Sequence, residues 1–232
     1  MEPLGGRPIL IEQAYHALLE AICDGRLKAG ERLAQEGLAE MLQVSRQPVS
    51  HALALLKQDG FVVEQGKRGV VVAPLDAGYV KALYEVRGAL DATAARLAAE
   101  QVKAGHPEAK ARVAAINDVV QAGRRAVAGG DRAGAIQADM AFHRGINALS
   151  GNPVIVETAE RQWAHVRRAM GAALESRELY LVVWQEHGAI LDAIAAGEPL
   201  AAERAARQHA ERAGRQTFER LLARDVAAPA AE

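Results

Sequence analysis

Strand composition is confined to two short runs, "FVVEQ" at 61–65 and "GVVVAP" at 69–74, joined by "GKRG". Their valines suit a half-buried pleated strand, and the glycines between them supply a turn, so together they predict one β-hairpin. A lone hairpin cannot bury a core for a chain of 232 residues, so helices must do it. The remaining sequence agrees with that demand. Half the residues are hydrophobic and only 4% are aromatic. Such an alanine-rich, aromatic-poor chain favours closely packed helices.

Before the hairpin, "ILIEQAYHALLEAIC" places Ile11, Tyr15, Leu18, Leu19 and Ile22 at helical spacing. It stops in "DGRLKAGERL", where Gly25 and Gly30 end helical geometry. A short helix "QEGLAEML" follows, then the turn "QVS" and a second helix from Arg46 to Gln58, with Ser45 as N-cap and Pro48 in the first turn. Pro74 closes the segment and Asp76 caps what comes next. Beyond residue 76 the pattern predicts helices alone, at 77–103, 108–128, 132–149, 153–174, 177–196 and 199–224. Pro107 in "GHPE", Asp131 in "GGD" and Asn152–Pro153 in "GNP" punctuate them. The expected fold is mainly α, with two domains. Residues 1–75 form a winged helix-turn-helix with a small β-hairpin wing, and residues 76–232 form an all-α six-helix bundle.

No apolar run reaches the ~18–20 residues needed to span a bilayer, so no membrane partner is expected. "MEPLGGRPIL" lacks a signal-peptide layout. The single cysteine, Cys23, excludes an intrachain disulfide framework and suits a reducing cytoplasm. A formal net charge of -1 argues nothing for nucleic acid, so that reading must rest on local placement.

Local placement supports it. In "LAEMLQVSRQPVSHALALLKQDGFV", Leu38, Ala39, Leu42, Val44, Val49, Leu53 and Leu56 would form a small core. Ser45, Arg46, Gln47, Ser50 and His51 would then project from the start of the second helix. A helix N-terminus favours phosphate and can enter a major groove. Arg46 suits guanine or phosphate, and the amide of Gln47 suits adenine. Lys67 and Arg68 at the hairpin tip would meet the backbone or minor groove, with Gly69 permitting the turn. Helix-turn-helix patterns also arise by chance in Ala/Leu-rich helices, and Arg46 is then a solvated charge.

The stretch "GRLKAGERL" through "LAEMLQVSRQPVSHAL" to "GKRGVVV" resembles the winged-helix domain of GntR-type bacterial transcription regulators, over nearly all of residues 9 to 75. The resemblance implies a homodimer on a palindromic double-stranded operator. Three positions depart from the family pattern. Gln43 stands where a turn glycine is usual, Ser50–His51 replaces an Arg-Glu pair, and Gly37 replaces a common charged residue. The second departure removes a customary phosphate-contacting arginine, which leaves Arg46 and the wing to supply more of the affinity.

In the helical half, Asp139 and His143 lie four apart in "ADMAFHRGI", on one helix face. His106, His165, His187 and His209 share that half. Asp139, His143, His187 and His209 together would offer only nitrogen and oxygen ligands, suited to Zn, Ni or another first-row divalent ion. One histidine on an alanine-rich helix is more often a surface or core residue, and Asp/His at this spacing is also an ordinary helix pair. Spacing alone does not make the other two converge. A metal-dependent hydrolase or lyase is the rival class, and it needs a general base. The obvious acid beside a ligand, Glu186, neighbours His187 and should point away from it.

A second resemblance covers roughly residues 78 to 222. "LYEVRGALDATAARLAAE", "D..FHRGINALSGNPV" and "EHGAILDAIAAGEPLAAERAARQH" look like the FCD effector domain of the FadR-type branch of GntR regulators. In its metal-binding members the matching Asp and three His hold the ion, which implies Asp139, His143, His187 and His209 as ligands and no enzymatic activity. Glu198–Pro199 replaces a more usual Asp cap before the last helix. Arg87 matches the arginine that faces the effector cavity, so with the metal it would grip a small organic acid. The alternative for Arg87 is a surface ion pair with Asp91 at i+4. Arg161 and Trp163 would shape the pocket or simply pack. A regulator that senses the ion itself, without an organic effector, remains a third reading.

Overall fold

The computed structural model describes residues 8–66, 69–173 and 177–227. The chain divides into two compact units, Met1–Leu75 and Asp76–Glu232.

In the first unit, α1 (Pro8–Cys23), α2 (Gln35–Leu42) and α3 (Arg46–Gln58) precede β1 (Val62–Glu64) and β2 (Val70–Val72). Leu38, Ala39, Val49, Leu53 and Leu56 are buried together with Leu18 and Ile22 of α1, while Leu42 and Val44 are half-buried. β1 and β2 pair antiparallel, Val62 opposite Val72 and Glu64 opposite Val70. Arg32 bridges Val71, so the chain before α2 runs along the hairpin as a third partner. Ser45 is the N-cap residue of α3, but its side chain makes no capping hydrogen bond. The turn between α2 and α3 passes through Gln43 at φ 54, a left-handed conformation that glycine adopts without penalty.

The second unit is helical throughout its described residues: α4 (Ala77–Lys103), α5 (Ala109–Ala128), α6 (Arg132–Leu149), α7 (Pro153–Glu160), α8 (Trp163–Ala173), α9 (Arg177–Ala195) and α10 (Pro199–Ala227). The caps sit where side chains can close the first turn. Asp76 accepts from the amide of Tyr79 at 3.0 Å and Asp131 from that of Gly134 at 2.9 Å. Asn152 accepts from Val154 and Ile155 at 3.0 and 3.3 Å, with Pro153 as first helical residue. α5 starts at Ala109, so Pro107 lies in the turn ahead of it rather than inside the helix.

One expected helix is two. The run 153–174 breaks at Arg161–Gln162, where the amide of Gln162 bonds three residues back to Ala159. Neither glycine nor proline marks this break, and the apolar spacing runs on across it. The redirected chain lets α7 bury Ile155 and Ala159 while α8 turns Trp163, Val166 and Met170 inward. Six expected helices therefore become seven among the described residues.

Abundant alanine has a clear use. Ala92, Ala95 and Ala99 of α4 and Ala202, Ala206 and Ala210 of α10 are all buried, so these long helices pack with their backbones close. Gly214 continues that contact, since a Cβ there would lie 2.6 Å from the Cβ of Tyr84. Close approach of α4, α6, α9 and α10 brings His143, His187 and His209 together.

Candidate metal centre and nucleic-acid interface

Asp139 and His143 project from one face of α6, His187 from α9 and His209 from α10, and all four are buried. Candidate donor atoms of His143, His187 and His209 lie within 4.8 Å of one another. Nε2 of His187 is 3.3 Å from Nε2 of His209 and 3.5 Å from Oδ1 of Asp139. Nε2 of His143 is 3.9 Å from Oδ2 of Asp139. Ligand atoms about 2.0–2.1 Å from one ion are separated by roughly 3 to 3.5 Å, so modest side-chain adjustment suffices for coordination.

The hydrogen bonding supports a cation. Asp91, on α4, faces Nδ1 of His143 at 3.2 Å, and Glu186, on α9, faces Nδ1 of His209 at 2.7 Å. An ionised carboxylate only accepts, so each Nδ1 donates, which in a neutral ring leaves the lone pair on Nε2. Oδ2 of Asp139 and Nε2 of His143 have no hydrogen-bond partner despite complete burial. Leaving such acceptors unsatisfied costs ~1–3 kcal/mol each, and one cation among them removes that cost. The residues present fit a divalent metal.

Burial, reinforced by His209, His143 and Arg87, pushes His187 well below its ordinary value. Burial also lowers His209, with Glu186 pulling the other way. Both are neutral at pH 7, the form that binds metal. Burial raises Asp91, but His143 and Arg87 outweigh it and hold the carboxyl at about 2. His187 is oriented by rings, stacked on Phe142 with centroids 4.1 Å apart and perpendicular to Trp184 at 4.8 Å.

Arg87 is not the surface charge its alternative required. It is 5% exposed. Its Nε donates to Asp91 at 3.2 Å, its Nη2 has no hydrogen-bond partner, and its guanidinium lies over Trp163 at 5.2 Å. Arg87, Asp139, His209, Tyr84, Tyr180 and Trp184 line a cavity of about 20 Å³, room for roughly one water-sized occupant. Trp163 is buried beside His143. Arg161 is different: it stands at the break after α7, its side chain is 76% exposed, and it pairs with Glu157. The helix break turns it to solvent and removes it from the pocket lining. Sequence reasoning also missed Asp91 and Glu186 as partners of the histidines, because both contacts cross between helices.

In the first unit, Ser45, Arg46, Gln47 and His51 are exposed around the N-terminus of α3, and Ser50 is half-buried. Arg46 forms an ion pair with Glu36 of α2. Gly69 takes φ 73 at the return of the hairpin, as a turn there demands. Lys67 and Arg68 lie outside the described residues.

A helix-turn-helix with a two-stranded wing, followed by a separate helical unit enclosing a polar centre, is the architecture of a DNA-binding transcriptional regulator with a second, all-helical domain. Residues 10–72 match the family described as bacterial regulatory proteins, gntR family, and residues 82–212 match the FCD domain. The chain belongs to the GntR family of transcriptional regulators, in its FCD-containing form. It is 30% identical over 200 residues to an uncharacterized HTH-type transcriptional regulator of Streptomyces ambofaciens, covering 84% of this chain and 79% of that one. Similarity to the HTH-type transcriptional regulator LutR of Bacillus subtilis is 30% over 213 residues, covering 81% and 92%. Among solved structures, a GntR regulator from Rhodococcus sp. RHA1 superposes with TM-score 0.74 at 25% identity, covering 90% of this chain and 97% of that one. These relatives are transcriptional regulators, not enzymes. No helix among the described residues is long and apolar enough to cross a membrane.

Proposed function

We propose that the chain is a cytoplasmic, homodimeric regulator of a palindromic operator, whose helical unit holds a divalent metal, Zn or Ni, and responds to a small carboxylate. Asp139, His143, His187 and His209 would hold the ion, and Arg87 would take the carboxylate. The reading rests on one observation: candidate donor atoms of three buried histidines lie within 4.8 Å of one another, with a carboxylate oxygen of Asp139 3.5 Å from His187, and Nε2 of His143 and Oδ2 of Asp139 are buried there without a hydrogen-bond partner. When bound, the metal supplies positive charge and open positions for an anionic ligand. Nη2 of Arg87 makes no hydrogen bond and only a long ion pair with Asp139 at 3.9 Å, so it adds a donor suited to the same anion. On the DNA side, Ser45, Arg46, Gln47 and Ser50 are the candidate contacts, with the wing residues Lys67, Arg68 and Gly69.

Binding of an organic acid requires the cavity to widen from its present ≈ 20 Å³, and flexible Met170 in its wall is suited to give way. That coupling of ligand to helix position is how an effector would bias DNA binding. A second reading draws on the same number, because a cavity of about 20 Å³ admits no organic acid as it stands. Under it, the metal itself is the signal.

The test combines metal analysis, a thermal-shift panel of small organic acids and operator binding. The purified protein is expected to retain about one divalent ion per chain. Asp139→Ala and His187→Ala should lose the ion and the metal-dependent rise in melting temperature. Arg87→Ala should keep the ion and lose the acid response. Unchanged metal content in both ligand variants refutes the site. Operator binding that responds to Zn(II) but to no acid selects the second reading. Arg46→Ala should weaken operator binding by about tenfold or more with the fold intact, and no effect refutes the groove assignment.

A further inference from the structure

We propose that Asp91 and Glu186 are positioning residues of this site: each takes the Nδ1–H of one histidine, His143 or His209, and so turns that ring's Nε2 toward the shared point. The proposal rests on the metal reading above and assigns roles to two residues that reading leaves unused.

The arrangement repeats itself from independent elements. On one side Arg87 donates to Asp91, which faces His143 at 3.2 Å. On the other, Arg212 of α10 pairs with Glu186, which faces His209 at 2.7 Å. In both chains a guanidinium keeps the carboxylate ionised, and an ionised carboxylate fixes the tautomer of the imidazole it accepts from. Glu186 adjoins His187 in sequence, yet successive residues point about 100° apart on a helix. It therefore serves the histidine of the neighbouring helix rather than its own neighbour.

His187 is the internal contrast. Its Nδ1 has no hydrogen-bond partner, and Phe142 and Trp184 hold the ring instead. Two rings are thus set by carboxylates and one by packing, so removing a carboxylate should release one named histidine and leave the others. The charges agree with a cationic guest, because Asp91, Asp139 and Glu186 outnumber Arg87 and Arg212 by one.

Glu186 is the position to test, since its side chain is 29% exposed, whereas buried Asp91 also neutralises Arg87. The full-length protein is titrated with Zn(II) against a chromophoric chelator. The ring nitrogens of its metal-free form are assigned by long-range proton–nitrogen NMR. In the wild type, His143 and His209 should both carry hydrogen on Nδ1. Glu186→Ala should weaken Zn(II) binding by roughly 10–100-fold and release the tautomer of His209 while His143 keeps its own. Glu186→Gln, which retains an uncharged acceptor, should fall between. A general loss of packing would instead disturb both rings and lower the metal-free melting temperature. Zn(II) affinity within about threefold of wild type in Glu186→Ala, or an Nε2-protonated His209 in the wild type, overturns the proposal. Failure of the metal reading is distinct: the wild type itself then takes up no Zn(II).

Discussion

Gly123 and Gly37 are both glycines inside helices, and the structure predicts opposite signs for replacing them with alanine. Helix propensity alone favours alanine by ~0.5–1 kcal/mol. At Gly37, exposed on α2, an added Cβ meets nothing within 4 Å, so that gain should appear in full. At Gly123 on α5 the same atom would lie 2.0 Å from Cη2 and Cζ2 of Trp184, against an ordinary contact of about 3.5–4 Å. The indole would have to move by roughly 1.5 Å, but it is 2% exposed and His187 stands against it at 4.8 Å. Overpacking of this kind costs ~1–3 kcal/mol, and with a rigid ring and no free side the upper half of that range applies. After the propensity gain, Gly123→Ala should be destabilised by ~1–2.5 kcal/mol, or about 2–10 °C in melting temperature for a unit of this size. Both tryptophans, Trp163 and Trp184, lie in the second unit, so intrinsic fluorescence during urea or thermal denaturation reports on that unit alone. The variant should also bind Zn(II) more weakly, because Trp184 braces a proposed ligand. Gly123→Ala matching or exceeding wild-type stability, with unchanged tryptophan emission, would refute the packing argument.

His187 and His209 sit below their ordinary 6.5 when folded, so below that pH the unfolded chain binds more protons. Stability of the metal-free protein should therefore be fully present above about pH 6.5 and decline as the pH falls from there to 5. A flat or rising melting temperature across that window contradicts it. Gln43→Gly should stabilise the first unit by ~1 kcal/mol, because it removes a left-handed non-glycine residue. Far-UV circular dichroism during urea denaturation measures this, and a loss of stability would show that the Gln43 side chain contributes more than its backbone costs. Glu36→Gln should release Arg46 from its ion pair and remove a negative charge beside the DNA-reading helix. Operator affinity should rise a few-fold at low salt, with a smaller gain at high salt. No change would mean that Glu36 and DNA do not compete for Arg46.

The helices were legible because their ends carry chemistry. Asp76, Asp131 and Asn152 are capping residues in the sequence and accept from first-turn amides in the structure. The break at Arg161–Gln162 had no such marker. Its origin is tertiary, the burial of Trp163 and Met170 against the rest of the bundle, and periodicity cannot record a change of direction that leaves the apolar spacing intact. That change of direction is what carries Arg161 to solvent. Asp139 and His143 were legible as a pair because one helix turn fixes their separation. His187 and His209 needed the family resemblance, since their approach depends on how α9 and α10 pack. Asp91 was visible only as a neighbour of Arg87, and Glu186 only as a residue pointing away from His187. Both statements hold, and neither names the histidine each carboxylate meets.

The two readings of Arg87, effector ligand and partner of Asp91, turn out to be compatible because a guanidinium is a fork. Nε is committed to Asp91 at 3.2 Å, while Nη2 is buried without a hydrogen-bond acceptor. A buried unpaired donor costs ~1–3 kcal/mol, and so do the unpaired acceptors of Asp139 and His143 nearby. A cluster kept only for stability would gain by hydrogen-bonding them to each other, yet Nη2 and Oδ2 of Asp139 form only a long ion pair at 3.9 Å. Orphaned acceptors suit a cation, and an orphaned guanidinium nitrogen beside them suits an anion. On the proposed reading, a metal would take up the acceptors and a carboxylate the guanidinium nitrogen. This division also sets the order of their effects: loss of the ion should abolish the acid response, whereas loss of Arg87 should leave the ion in place.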